Sequence, residues 1–315
     1  MLRFLQNAEI DKNKWNNCID NSVNSLLYAY SWYLDIIAEG WQAYVEDDYN
    51  SVFPIFPKNK FGITYLSQPP FMQQGGLFFT DDKSNNLLPY YIKQLKNDFK
   101  FIEINLNKYN VLKPALNNSK SYFIKNRNFE LDLKNNYNQL YNKYCNNTKR
   151  NLNRAKSNNL ICRNINEIND IITLFKENKG KEINAFQNSQ FDILKSLYNE
   201  CFNKNIASVW TVSDTNNKLL AGAFFIETKN HSIFLFSGQN KEGREKRAMF
   251  FLIDNYIKIH SASNLLLDFE GSNNDNLARF YSGFNSSETN YYSFHFNNLS
   301  LLLKPFFKLY KKIKV

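Results

Sequence analysis

The chain has 315 residues, of which 43% are hydrophobic and 16% aromatic, and it carries a formal net charge of +10 at pH 7. This length exceeds one typical small domain and fits two domains of about 150 residues, each able to bury a substantial core. The charge is compatible with an anionic partner but does not identify one.

Cysteine and histidine usage argues against several classes of site. The four cysteines are widely spaced without a C-x-x-C pair, and the three histidines are equally scattered. This pattern disfavours a zinc ribbon, a redox motif or a disulfide framework, and we expect no metal site. No apolar run reaches the roughly 20 residues that cross a bilayer, and the amino terminus lacks the apolar stretch of a secretion signal. We therefore expect a cytoplasmic protein.

The first half alternates helical and strand patterns. Apolar residues that recur on one helical face predict a helix over 25–38, which ends before Gly40. The other predicted elements are a hairpin of strands 41–46 and 51–56, a strand over 61–67, a helix over 86–98, and strands over 101–106 and 122–133.

The second half repeats this order more regularly. Its predicted elements are helices over 167–178 and from Ser189, a hairpin of strands 208–213 and 219–227, a strand over 232–237, a helix through Met249 and Tyr256, a strand over 265–269, a helix after Ser272 and a strand over 291–296. The halves share element order without visible sequence identity. We predict a mixed α/β protein of two tandem domains, each a twisted mixed sheet flanked by helices, with boundaries at 1–134 and 135–315.

Residues 265–284 combine a buried strand, a sharp turn and a short helix. Asp268 and Glu270 lie at the carboxyl end of the strand, where α/β folds tend to bind ligands. Ser272 and Asp275 predict a capping box that opens the helix, and Gly283 predicts its end. Tyr281 then lies about two turns along this helix. The alternative is that Tyr281 and its aromatic neighbours are core residues.

Several stretches together resemble the FemAB-like (BioF2-like) branch of the GNAT acyltransferases: 65–76, 148–160, 267–272 and 276–284. The resemblance covers nearly the whole chain and implies two tandem GNAT-like domains. It implies transfer of an acyl group from an acyl-CoA donor, such as acetyl-CoA, to an amine. Two alternatives stay open: Fem-type transfer of an amino acid from aminoacyl-tRNA to a cell-wall peptide precursor, and a degenerate GNAT-like binding module without turnover.

The resemblance assigns catalytic roles near the end of the predicted strand 265–269. Glu270 is the candidate base that takes the proton of the amine, with Asp268 second, and Tyr281 is the candidate acid that protonates the leaving thiolate. Alternatively, either carboxylate caps the next helix or pairs with Arg279.

The donor site is expected in the second domain, at the segment 237–249. GNAT proteins bind the pyrophosphate of coenzyme A with a glycine-rich loop at a helix N-terminus. This chain lacks the second glycine and has a longer, basic loop. The residues expected to bind the donor are Gln239, Lys241, Gly243, Arg244, Arg247, Ala248 and Asn276.

The first domain is expected to be degenerate for donor binding and to face the acceptor, since its Pro- and Gly-rich segment 68–76 has no cationic cluster. The residues expected to bind the acceptor are Gln68, Phe71, Gln73, Gln74, Trp210 and Arg279.

Two basic segments suggest further partners. No acidic residue occurs between Asp132 and Glu167, and Arg150 and Arg154 would share a helical face that could contact tRNA or a nucleotide-sugar phosphate. A helix from Pro305 would carry an apolar stripe flanked by lysines, and could contact an anionic membrane peripherally. A solvated charged face and docking on the second domain are the respective alternatives. The sequence does not indicate the oligomeric state.

Overall fold

The computed structural model describes residues 1–60, 62–81, 84–110, 120–178 and 188–300. These residues form two compact units. Unit 1 contains residues 1–126 and the described residues from Asn290 onward, and unit 2 contains residues 127–289.

The chain forms fourteen strands in its described residues, β1 to β14 in order: Leu2–Leu5, Gln42–Glu46, Ser51–Ile55, Pro57–Lys60, Ile63–Ser67, Phe78–Phe79, Phe101–Asn105, Ser121–Asp132, Ile161–Ile165, Ala207–Ser213, Leu219–Glu227, His231–Gln239, Leu266–Asp268 and Ser287–Asn297. Ten α-helices, α1 to α10, occur over the same residues: Lys12–Asn21, Ser31–Ile37, Leu88–Asp98, Tyr137–Lys143, Asn146–Lys156, Asn169–Asn178, Asn188–Asn203, Lys241–Glu245, Ala248–His260 and Asp275–Ser282. The mixed α/β class expected from the sequence is confirmed.

The boundary between the units falls inside strands. The chain passes from unit 1 to unit 2 within β8, after Asn126, and returns to unit 1 within β14, after Thr289. We predicted a single crossing at 134/135, where the basic, Asn-rich segment begins. The composition of the sequence did not indicate the boundary within β8, because no linker of distinct composition joins the two units there. The residue pattern of a strand also does not show that its two ends belong to different units.

Unit 1 contains a four-stranded sheet in the order β1-β2-β3-β6 and the strands β4-β5-β7-β14. Helix α3 places Leu88, Tyr91, Ile92 and Leu95 in a core with side chains of β7 and β14. This spacing, i, i+3, i+4 and i+7, is the apolar stripe of an amphipathic helix.

Unit 2 has the strand order β8-β13-β12-β11-β10-β9. Strand β13 runs parallel to β12 and antiparallel to β8, and the strands from β9 to β12 are antiparallel. One face of these strands shares a core with apolar residues of α5, α9 and α10. Helix α6 contacts β11 and β12, and closely enough that a Cβ on Gly238 would lie 2.7 Å from the carbonyl oxygen of Ile171.

The helix predicted over 25–38 is shorter than expected. A 3₁₀ turn covers Leu27–Ala29, Tyr30 adopts an extended conformation, and α2 begins at Ser31. Helix α1 was not predicted because only Trp15, Cys18 and Ile19 of its residues are buried, which is too narrow a stripe to stand out in a polar segment. Asp11 caps this helix by accepting bonds from the N–H groups of Asn13 and Lys14.

The sequence led to two expectations about membranes: a peripheral basic helix and no membrane-spanning segment. The basic helix predicted from Pro305 lies outside the described residues. Within the described part of the chain, no helix is long and apolar enough to span a bilayer.

Candidate active site

Strand β12 extends beyond its parallel neighbour β13 and so opens one side of the sheet. The two strands pair only from His231 to Ile233, opposite Leu266 to Asp268. On its other side β12 pairs with β11 as far as Gln239, with a register shift that leaves Leu235 as an extra residue. Residues 234–239 of β12 therefore have no partner strand on the β13 side among the described residues, and a cleft forms there.

A cavity of about 560 Å³ lies at this cleft, within unit 2. Its walls come from α6, the carboxyl half of β12, the start of α9 and one side of α10. The lining residues are Phe175, Phe234, Ser237, Gly238, Gln239, Arg244, Arg247, Met249, Phe250, Asn274, Asn276, Leu277, Phe280 and Tyr281. The lining joins two arginines and several amides to an aromatic surface, which suits a ligand with both an anionic and an apolar part.

The start of α9 can hold an anion. Arg247 precedes this helix in the left-handed conformation (φ +63°) and gives it no side-chain cap, so the first-turn N–H groups lack that partner. One guanidinium nitrogen of Arg247 donates to the carbonyl of Arg244 at 3.0 Å, while its Nε is buried without a hydrogen-bond partner among the described residues. The helix dipole and the two arginines favour negative charge at this position.

The neighbouring lysines are already paired. Glu242 on α8 contacts Lys218 at 2.6 Å and Lys246 at 2.7 Å. These contacts lower the pKa of the Glu242 carboxyl to about 2 through hydrogen bonds from the two lysines. The positive charge at the cavity therefore comes mainly from Arg244 and Arg247.

Tyr281 forms part of the cavity wall. Its side chain is 7% exposed, and its ring stacks on Phe269 at 5.0 Å between centroids and meets Phe234 edge-on at 6.4 Å. The hydroxyl has no hydrogen-bond partner in the described part of the chain. Burial first, and then the charge of Glu270, raises the pKa of Tyr281 well above its ordinary value. The hydroxyl therefore stays protonated at neutral pH and can act as an acid.

Glu270 occupies a tight turn directly after β13. It adopts a left-handed conformation (φ +54°), and its N–H donates to Oδ1 of Asp268 at 2.8 Å. Gly271 continues the turn with φ +48°, and a Cβ on it would collide with the backbone of Arg127 and Asn128. Glu270 does not line the cavity, but its charge acts on Tyr281.

The turn should therefore be sensitive to one added methyl group. We expect Gly271→Ala to destabilise the protein by several kcal/mol, because the new Cβ meets backbone and the φ angle is left-handed. Gly40→Ala is the matched control, since Gly40 also has a positive φ (+71°) but nothing within 4 Å of the added Cβ. Its cost should be on the order of 1 kcal/mol. Urea unfolding of both variants measures the difference, and equal costs would contradict the close approach.

Asp268 lies on the opposite side of the strand from Phe269. Its side chain is 2% exposed and lies near Glu130 of β8 and His231 of β12. One carboxylate oxygen of each acid and one imidazole nitrogen of His231 lie within 4.8 Å of one another. The distance from Nε2 of His231 to Oδ2 of Asp268 is 3.9 Å. Two carboxylates and an imidazole in this arrangement can exchange a proton, and their atom types are ones that bind metal ions. The sequence predicted neither Glu130 nor His231, because strand pairing alone brings them to Asp268.

Helix α10 ends at Gly283 as predicted, but its predicted start and the conformation expected of Gly283 require correction. Asn274, rather than Ser272, is the N-cap, and its side chain accepts bonds from the N–H groups of Asn276 and Leu277. Asparagine caps as well as serine, so the S-x-x-D pattern placed the start two residues early. Gly283 has ordinary helical angles instead of a left-handed one. It is required because a Cβ there would collide with the Thr148 hydroxyl of α5.

Four of the residues predicted to bind the donor line the cavity: Gln239, Arg244, Arg247 and Asn276. Three do not. Lys241 is exposed on α8, Ala248 is buried in the core, and Gly243 is buried where a Cβ would collide with the carbonyl of Leu220. The short helix α8 replaces the expected glycine-rich loop, so Gly243 serves packing against β11.

The residues predicted to bind the acceptor are mostly engaged within their own units. In unit 1, Gln68 accepts a bond from the N–H of Asn105 and donates to the carbonyl of Met72, and buried Gln74 accepts from the N–H of Lys108. In unit 2, Trp210 is 5% exposed and donates to the Ser208 hydroxyl.

The other three residues predicted to bind the acceptor are Phe71, Gln73 and Arg279. Phe71 adopts a left-handed conformation, and its carbonyl accepts a bond from the Tyr33 hydroxyl. Gln73 accepts a bond from Gln74. Arg279 is exposed on α10 and donates to Oδ1 of Asn276 at 2.5 Å. None of these three lines the cavity, and their role in acceptor binding stays a prediction.

Several cavity residues were missed from the sequence: Phe175, Phe234, Ser237, Gly238, Met249, Phe250, Asn274, Leu277 and Phe280. Their aromatic and aliphatic members occur in apolar stripes that also build the core, so periodicity cannot separate the two uses. Asn274 is the residue of this set that the sequence could have indicated, because it caps the helix that carries Tyr281 and so lies beside the same cleft.

Solved structures share this fold. FemX superposes with a TM-score of 0.62 at 12% identity, over 95% of this chain and 98% of FemX. A conserved protein of unknown function from Bacteroides thetaiotaomicron VPI-5482 gives 0.61 at 10% identity, over 94% and 100%. L-PGS from Bacillus licheniformis gives 0.53 at 10%, over 93% and 94%. The fold resemblance inferred from the sequence is confirmed.

No family model and no curated protein matches the sequence. At these identities the structural likeness establishes the fold and leaves the activity to be inferred from the site.

Proposed function

We propose that the protein is an N-acyltransferase that binds an acyl-CoA-type donor in the unit 2 cavity and transfers the acyl group to an amine. The observation that carries the proposal is the placement of the protonated Tyr281 hydroxyl and the uncapped start of α9 on one cavity. The first suits a leaving thiolate, and the second suits the phosphates of the donor.

The proposed reaction is a direct transfer. The nitrogen of a neutral amine attacks the thioester carbonyl carbon, and the carbon–sulfur bond breaks. Glu270 takes the proton that the nitrogen loses, with Asp268 as the second candidate base. The Tyr281 hydroxyl gives its proton to the sulfur that leaves. The products are an amide and a free thiol.

Donor binding supplies the test. Reversing both cavity charges, in Arg244→Glu/Arg247→Glu, should weaken the binding of acetyl-CoA by about 1–3 kcal/mol for each charge-assisted hydrogen bond to phosphate that is removed. Calorimetric titration measures this change. The matched control is Lys195→Glu/Lys204→Glu, on α7 and directly after it, which alters the net charge equally without touching the cavity. Equal affinity in all three proteins would place the donor elsewhere.

An aminoacyl ester of RNA is the second candidate donor. It is favoured by the replacement of the glycine-rich loop with α8, because the cavity then offers one uncapped helix start and two arginines. That set suits a terminal nucleotide with fewer phosphates than coenzyme A. Competition between acetyl-CoA and an aminoacylated RNA minihelix separates the two donors.

A further inference from the structure

Strand pairing in unit 2 brings three side chains that can ligate a metal ion to one face of the sheet. Asp268 of β13 lies directly opposite Glu130 of β8. His231 of β12 lies opposite Leu266, two residues before Asp268. Because paired residues share a face, and so do residues two apart on a strand, the two carboxylates and the imidazole lie on the same side. The sequence indicated no metal site because these residues are far apart along the chain.

The distances within this cluster suit a bound ion. One donor atom from each residue lies within 4.8 Å of the other two, and Nε2 of His231 lies 3.9 Å from Oδ2 of Asp268. Zinc bonds of about 2.0–2.2 Å to nitrogen and carboxylate oxygen place the donors of a tetrahedral site roughly 3.4 Å apart. Small rotations of the three side chains therefore bring the donor atoms onto one ion while the strands stay in place.

The charge of the cluster favours a cation. Asp268 is 2% exposed and Glu130 is 9% exposed. Carboxylates that face each other across two strands repel one another, and burial strengthens the repulsion because water screens it less. A divalent ion between the carboxylates offsets this repulsion, as does a shared proton. His231 is only half-buried, so an ion can reach the cluster from its side.

Neighbouring hydrogen bonds orient both carboxylates. Oδ1 of Asp268 accepts a bond from the N–H of Glu270 at 2.8 Å, while Oδ2 is the oxygen that approaches His231. Oε1 of Glu130 accepts a bond from the buried amide of Asn128 at 3.4 Å. Such contacts fix the position of metal ligands in proteins. The strands that carry the three residues are hydrogen-bonded neighbours, so the site is built on rigid elements.

We propose that Glu130, His231 and Asp268 bind one Zn²⁺ ion through one imidazole nitrogen and two carboxylate oxygens. An imidazole ligand suits zinc, whereas magnesium and calcium prefer sites made of oxygen atoms alone. Three protein ligands leave the fourth tetrahedral position to water. The ion ties β8, β12 and β13 together beside the turn that holds Glu270.

The zinc site is separate from the donor cavity. None of its three residues lines that cavity, and zinc binding does not depend on the proposed transfer reaction. A carboxylate that ligates zinc is not available to take a proton from the amine, so an occupied site leaves Glu270 as the base. Acetyl-CoA binding is measured independently, and failure of either proposal leaves the other standing.

Calorimetric titration with ZnCl₂ tests the proposal on the full chain, stripped with a chelator and free of an affinity tag. It should show one saturable site per chain that Mg²⁺ does not fill, and zinc should raise the melting temperature because the site exists only in the folded protein. His231→Gln and Asp268→Asn should each weaken zinc binding at least about tenfold, the effect of altering even the partners of a metal ligand. Asparagine at 268 keeps the Oδ1 that accepts the bond from residue 270.

His295→Gln is the matched control. Nδ1 of His295 also lies near a carboxylate, 3.5 Å from Oε1 of Glu103, but His295 belongs to no such three-residue cluster in the described part of the chain. Its zinc affinity should equal that of the wild type. Anomalous scattering at the zinc edge locates the ion in wild-type crystals, so the proposal stays testable if a variant fails to fold. Absence of zinc binding by the wild type, equal affinity in all the variants, or an ion located away from β13 would overturn the proposal and favour a shared proton.

Discussion

Tyr281→Phe should lower kcat by roughly 10²–10⁴, the usual effect of removing a positioned general acid. The substitution removes one hydroxyl that has no hydrogen-bond partner among the described residues, and it leaves the ring contacts with Phe269 and Phe234 in place. The melting temperature should therefore change little. Steady-state kinetics with an identified amine and a thermal melt measure the two effects together.

Tyr256→Phe is the matched control. Tyr256 is also a buried tyrosine, but its hydroxyl bonds Ser232 at 2.6 Å and Glu227 at 2.8 Å, and it does not line the cavity. This variant should lose stability, at about 1 kcal/mol or more, and keep its kcat. If Tyr281→Phe keeps full turnover, Tyr281 is an aromatic core residue and the assignment is wrong.

The raised pKa of Tyr281 determines how activity should depend on pH. An acid acts only while it is protonated, and burial together with the charge of Glu270 moves the pKa of Tyr281 upward from its ordinary value of 10.0. Activity should therefore show no descending limb at pH 10 from the loss of this proton. A pH profile of kcat that falls through pH 10 in the wild type and not in Tyr281→Phe would contradict the raised pKa.

Glu270→Gln should lower kcat by a similar roughly 10²–10⁴ and remove the acidic limb of the pH profile. A carboxylate base must be ionised, so wild-type activity should fall as the pH falls through its titration, and glutamine cannot titrate. Asp268→Asn is the matched comparison, because its Oδ1 can still accept the bond from the N–H of residue 270. If that variant loses the limb and Glu270→Gln keeps it, Asp268 is the base.

The fold was largely predictable because its elements follow simple periods. Helix α3 and the strands β2, β3 and β7 appear in the structure close to their predicted bounds. Helix α1 was not predictable in this way because few of its residues are buried. The passage of β8 and β14 from one unit to the other was also hidden, since strand patterns record burial and not the partner strand.

The site was predictable where function and backbone geometry coincide. Arg244 at the end of α8, Arg247 at the start of α9, and Asn276 and Tyr281 on α10 all line the cavity beside the open edge of β12. Glu130 and His231 were not predictable, because their approach to Asp268 depends on strand register. Gly243 was assigned to phosphate binding on resemblance, whereas the close approach of α8 to β11 accounts for it.

A crystal structure with a non-hydrolysable acetyl-CoA analogue tests the central claim most directly. The account predicts that the phosphates lie at the start of α9 beside Arg244 and Arg247, and that the atom replacing sulfur lies within hydrogen-bond reach of the Tyr281 hydroxyl. An analogue bound outside the unit 2 cavity, or bound there with its reactive end away from Tyr281, would contradict it.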